Sequence, residues 1–296
     1  MTVALAWTRK LTEWTEELVF VTDSRYRGGD QNFDVCPKVI TLPRSDCALC
    51  FAGYTGHALP MMLQVSEAIG SFDRATRRSQ DLAPLKTHII KIFNKMSEDI
   101  VKSLMSPHAQ DPLPEASFLI GGYSWINKAF DLWEIFFQKG QGCFEERPAR
   151  WLTYLPNHKK YGLWNAKTPE ALGRLAFIGD QGSAAYAALT ERLLSKGTPD
   201  RLDWEPFEVV RDMLRADSHC ETIGGAPQVV KVYQYMQADP LAVFWPDKKS
   251  GCVTLKGRKC LGYERLGRRI LDPDTLKSEP WTIPDELKEG DPLSDS

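Results

Sequence analysis

The 296-residue chain predicts an α+β fold. Strand-like and helix-like runs come in blocks: strands, two helices, strands, two helices, a strand. That order favours segregated sheets and helices over the alternation of a doubly wound parallel sheet. Composition is 43% hydrophobic and 26% charged, ordinary for a globular chain able to bury a real core. No solenoid-type repeat is visible. A four-layer αββα arrangement fits the block order, with two sheets face to face and helices on each outer face. Periodicity alone does not select it over other α+β layouts.

The segments TVALAW and ELVFVTDSR read as a strand pair joined by the polar LTEWTE, and RGGDQ as a turn. KVITLP and CALCFAG are two more short strands. YTGHALPMMLQVSEAIGSF and LAPLKTHIIKIFNKMSEDIVKSLM have helical periodicity; the second carries Leu85, Ile89, Ile92, Met96 and Ile100 at spacings of three and four. ASFLIGGYS and FDLWEIFFQ form another strand pair. The stretch from about Lys139 to Lys167, rich in aromatic and basic residues, takes no assignment. AFIGDQGSAAYAALTERLLSKG reads as strand, turn and helix, WEPFEVVRDMLRADSH as a helix and APQVVKVYQYM as a strand. Beyond it come two short strand candidates, CVTLKG and CLGYERL. The Pro- and acid-rich end, EPWTIPDELKEGDPLSDS, reads as loosely held or disordered.

The net charge of -2 carries no basic stripe of the kind that binds nucleic acid. Seven cysteines lack a disulfide rhythm, and Cys47 and Cys50 sit in a strand pattern with no second pair to complete a zinc site. Buried reduced thiols are the reading. The five histidines do not pair at metal spacing; Gly28-Gly29 and Gly121-Gly122 resemble phosphate loops only superficially. No cofactor or metal is expected. The N-terminal apolar run is too short for a signal peptide, and no apolar stretch reaches the ~18 residues of a membrane span. A cytoplasmic protein is expected. Trp151 and Trp164 read as packing residues.

Thr2 is the first candidate for chemistry. Removal of Met1 places an α-amine, of ordinary pKa roughly 7.7–8.0, beside the threonine hydroxyl. Near pH 7 part of that amine is neutral and can take the hydroxyl proton, which turns a poor nucleophile into a usable one. Such a group needs a nearby cation, a carboxylate to hold the cation, and main-chain N–H groups to receive an oxyanion. Asp23, Lys38 and Gly53 lie at strand ends where they could supply these.

The ordered series TVALAW, LVFVTDSR, CPKVITL, CALCFAGYTG, FLIGGYS, LWEIFF and AFIGDQGSAAYAAL resembles the proteasome β-subunits and their bacterial relatives, members of the N-terminal-nucleophile hydrolase superfamily. The likeness runs from Thr2 to about Tyr235. The chain begins directly at the first strand, as β-type subunits do. The resemblance implies a domain over 1–237, with 238–296 as an extension ending in a partly disordered tail. It implies Thr2 as nucleophile, Asp23 as the aspartate that holds the tuning Lys38, Arg25 as a structural arginine and Gly53 as an oxyanion donor. It also implies hydrolysis of peptide or amide bonds without a cofactor, through an ester on Thr2, in a ring or other homo-oligomer. An ATP-driven unfoldase is a possible partner of such rings.

The chain departs from that pattern in three places. The connection TRKLTEWTEE is long. Where the family has Gly-Ser-Gly, this chain has Gly179-Asp180-Gln181-Gly182, so Asp180 stands at the supporting serine. An acid there holds the amine protonated and weakens it as a base. The later Asp-x-x-Ser-Gly-Gly element is replaced by the run DSHCETIGG, with Asp217 and Thr222 as the matching acid and hydroxyl at a spacing two residues longer; His219 lies between them. These departures leave two rival readings: an amidase for small molecules, and a catalytically silent scaffold or regulatory subunit of the same fold.

Overall fold

The computed structural model describes residues 2–28, 31–103, 116–216, 222–250, 252–261, 263–264 and 266–280. β1 (Ala4–Lys10) and β2 (Glu16–Thr22) form the expected hairpin, in register from Ala4 opposite Thr22 to Lys10 opposite Glu16. β3 (Tyr26–Gly28) and β4 (Gln31–Phe33) make a short ribbon flanking the predicted turn. β5 (Val39–Thr41) and β6 (Cys47–Gly53) lead into α1 (Thr55–Gly70), α2 (Asp73–Thr76) and α3 (Leu82–Ser103). Then come β7 (Ala116–Ser124), β8 (Ala129–Gln138), β9 (Cys143–Pro148), β10 (Arg150–Leu155), β11 (Lys160–Trp164) and β12 (Ala171–Ile178). α4 (Gly182–Ser195) and α5 (Glu205–Ala216) precede β13 (Gln228–Tyr233) and β14 (Gln237–Phe244). β15 (Val253–Leu255), β16 (Arg258–Lys259), β17 (Arg269–Leu271) and β18 (Ser278–Pro280) finish the described chain.

The fold is α+β. The strands collect into a large sheet ordered β11-β10-β12-β1-β2-β13-β14-β15-β16, with β17 and β18 joined at β14, and a second sheet ordered β5-β6-β7-β8-β9. Pairing is antiparallel except between β14 and β17.

The period of two along the strands sorts side chains into separate cores. Val3 just ahead of β1, Leu5 and Trp7 of β1, and Val19 and Val21 of β2 pack with Leu189 and Leu193 of α4 and Phe207 and Val210 of α5. On β6 and β7, Leu49, Phe51, Phe118 and Ile120 pack with Met61 and Val65 of α1 and Leu85, Ile89 and Phe93 of α3. The alternate residues of both sheets meet in a third core: Ala4, Ala6, Leu18 and Phe20 against Ala48, Cys50, Ala52 and Leu119. Many of these facing side chains are small, so the sheets approach closely. Gly121 of β7 lets Leu18 of β2 reach the backbone: a Cβ there would stand 2.7 Å from Leu18 Cδ2 and 2.9 Å from Asp131 O. Gly122 serves a separate close approach, since a Cβ there would overlap Asp46 O and stand 2.7 Å from Cys47 Cβ.

Three points of the sequence reading change. CLGYERL is not a strand: among its described residues the chain turns, with the Glu264 amide donating to Leu261 O at 3.0 Å. The Glu264 carboxylate accepts from Leu261 N–H at 2.7 Å and from the Arg258 guanidinium, which holds the turn. The unassigned stretch near 139–167 contains β9, β10 and β11, and Trp151 and Trp164 face each other across the β10–β11 ladder. Lys167 and Arg174 lie over the Trp151 ring, each at 5.0 Å. β14 is hidden by its Asp239-Pro240 step, yet its residues 237–241 pair with β13 and its remaining residues pair with β15 and β17, which joins these strands to the large sheet. Residues 281–296, which hold most of the acid-rich end, lie outside the described residues. No described helix is long and apolar enough to cross a membrane.

Gly121→Ala is expected to lower unfolding free energy by about 1–3 kcal/mol through overpacking between the sheets. Urea unfolding of the variant against the parent chain measures this, and no loss would mean the sheets are not in close contact there.

Candidate active site

Antiparallel pairing brings the candidate residues together. β1 begins where β2 ends, so Thr2 and Val3 lie beside Asp23; the Asp23 amide donates to Val3 O at 3.3 Å. β12 runs antiparallel to β1 on its other side, with Ile178 opposite Ala4, and so delivers Gly179 and Asp180 to the same end. In the facing sheet, Lys38 sits just ahead of β5, and its carbonyl accepts from Phe51 N–H of β6 at 3.1 Å. Gly53 closes β6 at this end with φ +109°, a left-handed conformation that glycine tolerates.

Thr2, Asp23 and Lys38 are all fully buried. The Lys38 ammonium donates to Thr2 Oγ1 at 2.8 Å and to both Asp23 oxygens at 2.9 and 3.0 Å. Asp23 also accepts from three main-chain N–H groups: Val3 at 3.3 Å, Arg25 at 2.9 Å and Gly224 at 3.4 Å. Burial pushes the Asp23 carboxyl above its ordinary range, against the opposing charge and hydrogen bonds of Lys38 and the Arg25 and Val3 amides. A pair held in so dry a place is costly to break, because the surviving charge has no water to turn to.

The main-chain nitrogen of Thr2 donates to Asp180 Oδ1 at 2.6 Å, so Asp180 stands directly at the nitrogen that Met1 removal would free. Gly179, at φ +97°, makes this approach possible: a Cβ there would overlap the Thr2 carbonyl oxygen and lie 3.4 Å from Ala52 Cβ. Gln181 links the remaining candidate, donating to Thr222 Oγ1 at 3.2 Å and to Asp180 Oδ2 at 3.4 Å. Arg25 grips Asp34 with two bonds, Nε to Oδ1 at 2.7 Å and Nη2 to Oδ2 at 2.9 Å. Asp217 and His219 lie outside the described residues.

The sequence reading missed Gly179, Asp34, Ser24 and Gln228. Gln228 is a polar residue opening the apolar run QVVKV, a signal that could have been read. Asp34 has no local signature; only the folded chain sets it against Arg25. Among the described residues no group of three or more His, Cys, Asp or Glu is arranged to hold a metal ion.

The arrangement can do specific chemistry. A lysine ammonium hydrogen-bonded to a hydroxyl oxygen favours its alkoxide-like form, and the carboxylate behind fixes the ammonium in place. A scan against models of known protein families matches none, and a search of curated proteins finds no match.

Asp23→Ala is expected to destabilise the chain by about 3–5 kcal/mol by leaving Lys38 buried and unpaired. The double variant Asp23→Ala with Lys38→Met should recover part of that loss in the same urea titration.

Proposed function

We propose that the chain is an N-terminal-nucleophile hydrolase, a four-layer αββα sandwich of the proteasome β-type, cleaving peptide or other amide bonds. The single observation that carries this reading is the 2.8 Å bond from Lys38 Nζ to Thr2 Oγ1, with Asp23 gripping the same ammonium from behind. The packing in three cores, one shared between the two sheets and a helix-covered core outside each, supports the fold assignment.

In this reading, cleavage of the Met1–Thr2 bond frees the Thr2 amine. Thr2 Oγ attacks the substrate carbonyl carbon and its proton passes to that amine. The Gly53 N–H receives the developing oxyanion. The tetrahedral species collapses, the C–N bond breaks, and the amine delivers the proton to the departing nitrogen. Water then attacks the Thr2 ester. The amine accepts the water's proton, the C–O bond breaks, and Oγ recovers its hydrogen. Asp180 orients the amine through its 2.6 Å contact, and Thr222 acts on that carboxylate through Gln181. Assembly into a ring or other homo-oligomer, a cytoplasmic setting and an unfoldase partner belong to the same proposal.

A second reading, a catalytically silent scaffold, draws on the same Asp180 contact. In a chain that keeps Met1, the Thr2 nitrogen is a peptide amide and no base. The intact mass of the cellular protein separates the two. Loss of Met1, labelling of Thr2 by an electrophile, and a drop in hydrolysis of about 10³-fold or more in Thr2→Ala are the results expected of the hydrolase. Full retention of Met1 would overturn it.

Asp180 also sets a pH dependence. A carboxylate beside the ammonium stabilises the charged form, so the neutral base appears only at higher pH. Asp180→Ser is therefore expected to move the acidic limb of the kcat/KM profile down by about 1 pH unit. An unmoved limb would remove Asp180 from the amine's surroundings.

A further inference from the structure

Beside the Lys38–Asp23 pair lies a carboxamide that hydrogen-bonds to the main chain of both residues. Gln228, at the start of β13, is 1% exposed. Its Oε1 accepts from the Lys38 main-chain N–H at 3.0 Å. Its Nε2 donates to Cys36 O at 2.6 Å, with Ser24 Oγ at 3.2 Å and Asp23 O at 3.3 Å. One carboxamide thus bridges the chain leaving β2, at Asp23 and Ser24, to the chain entering β5, at Cys36 and Lys38. These two segments carry the two charges of the pair, and they belong to different sheets.

The bracket is closed from behind by the turn between β15 and β16. Gly257 sits there at φ +90°, and a Cβ on it would overlap Ser24 Oγ, crowd Ser24 Cβ at 2.6 Å and reach Gln228 Nε2 at 3.4 Å. Ser24 Oγ in turn donates to Ala226 O. The turn therefore fills the space in which water would compete for the Gln228 bonds.

We infer that Gln228 is the positioning residue of the site, setting the Lys38 ammonium against Thr2 Oγ1, and that the Gly257 turn of the C-terminal segment holds it there. The segment beyond residue 237 is then part of the site's construction. Only the kinetic arm of the test rests on the hydrolase reading.

Two variants of the full chain test it. Gln228→Met keeps length and bulk but no hydrogen bond. Gly257→Ala leaves Gln228 intact and presses on Ser24. Lys259→Ala, on the exposed side of the same hairpin, serves as the control. The first readout is the NMR signal of the Lys38 ammonium, whose protons exchange slowly when buried and hydrogen-bonded. In both test variants this exchange is expected to accelerate by at least about tenfold, with Lys259→Ala unchanged. The second is hydrolysis: kcat is expected to fall by about 10²-fold with KM within about twofold, the signature of a misplaced reacting group. If Gln228→Met does not fold, Gly257→Ala carries the test alone. Unchanged ammonium exchange in a folded test variant overturns the inference. A parent chain with no hydrolysis overturns the hydrolase reading instead, and the ammonium signal still decides the role of Gln228.

Discussion

Everything at the candidate site of this protein is organised by one buried ion pair, Lys38 with Asp23. Two unit charges removed from water must be satisfied by geometry alone, since neither can fall back on solvent. Asp23 answers with the Lys38 ammonium and main-chain N–H groups from Val3, Arg25 and Gly224. Those donors come from the start of β1, the exit of β2 and the approach to β13, while Lys38 comes from the other sheet. The pair thus dictates how the ends of both sheets meet, and Thr2 inherits its position from that meeting.

The rest of the fold makes the meeting possible by permitting close approach. The core between the sheets sets small residues such as Ala4, Ala6, Ala48, Cys50 and Ala52 among larger ones such as Leu18, Phe20 and Leu119. Larger side chains at the small positions would hold the two sheets, and so Lys38 and Asp23, apart. Glycines make the tightest passages: Gly121 beneath Leu18, Gly179 against the Thr2 carbonyl, Gly257 against Ser24. Each marks a place where even one carbon would displace backbone or a polar contact, which is why none can be read as mere loop flexibility.

The helices α1, α3, α4 and α5 were legible because their apolar residues recur at three and four, and the hairpin of β1 and β2 because its apolar run is bounded by polar turns. β14 was not, because Asp239-Pro240 interrupts the strand pattern; its neighbours β13 and β17 supply the pairing that overrides the local signal. CLGYERL misled in the opposite direction, since a local Glu264–Arg258 contact folds a strand-like composition into a turn. At the site, Thr2, Asp23 and Lys38 stood out through their chemistry and their places at strand ends. Asp34 did not, because a surface-type carboxylate announces no role until its partner is known, and Gln228 offered only its polar place at the head of QVVKV, which says nothing of the partners it holds.

By itself, the sequence determined the chemical types available, a hydroxyl at position 2, an acid at 23, a cation at 38 and an acid at 180, together with the alternation that builds strands and the periodicity that builds helices. These are local properties, set by residue identity and short-range spacing. Only the tertiary structure decided that Lys38 reaches Thr2 Oγ1 and Asp23 at once, that Asp180 meets the Thr2 nitrogen, and that Gln228 and Gly257 close around them from behind. Those contacts join residues up to about two hundred positions apart. No local rule specifies such distances; they follow from register between strands and from the packing of two sheets across a common core.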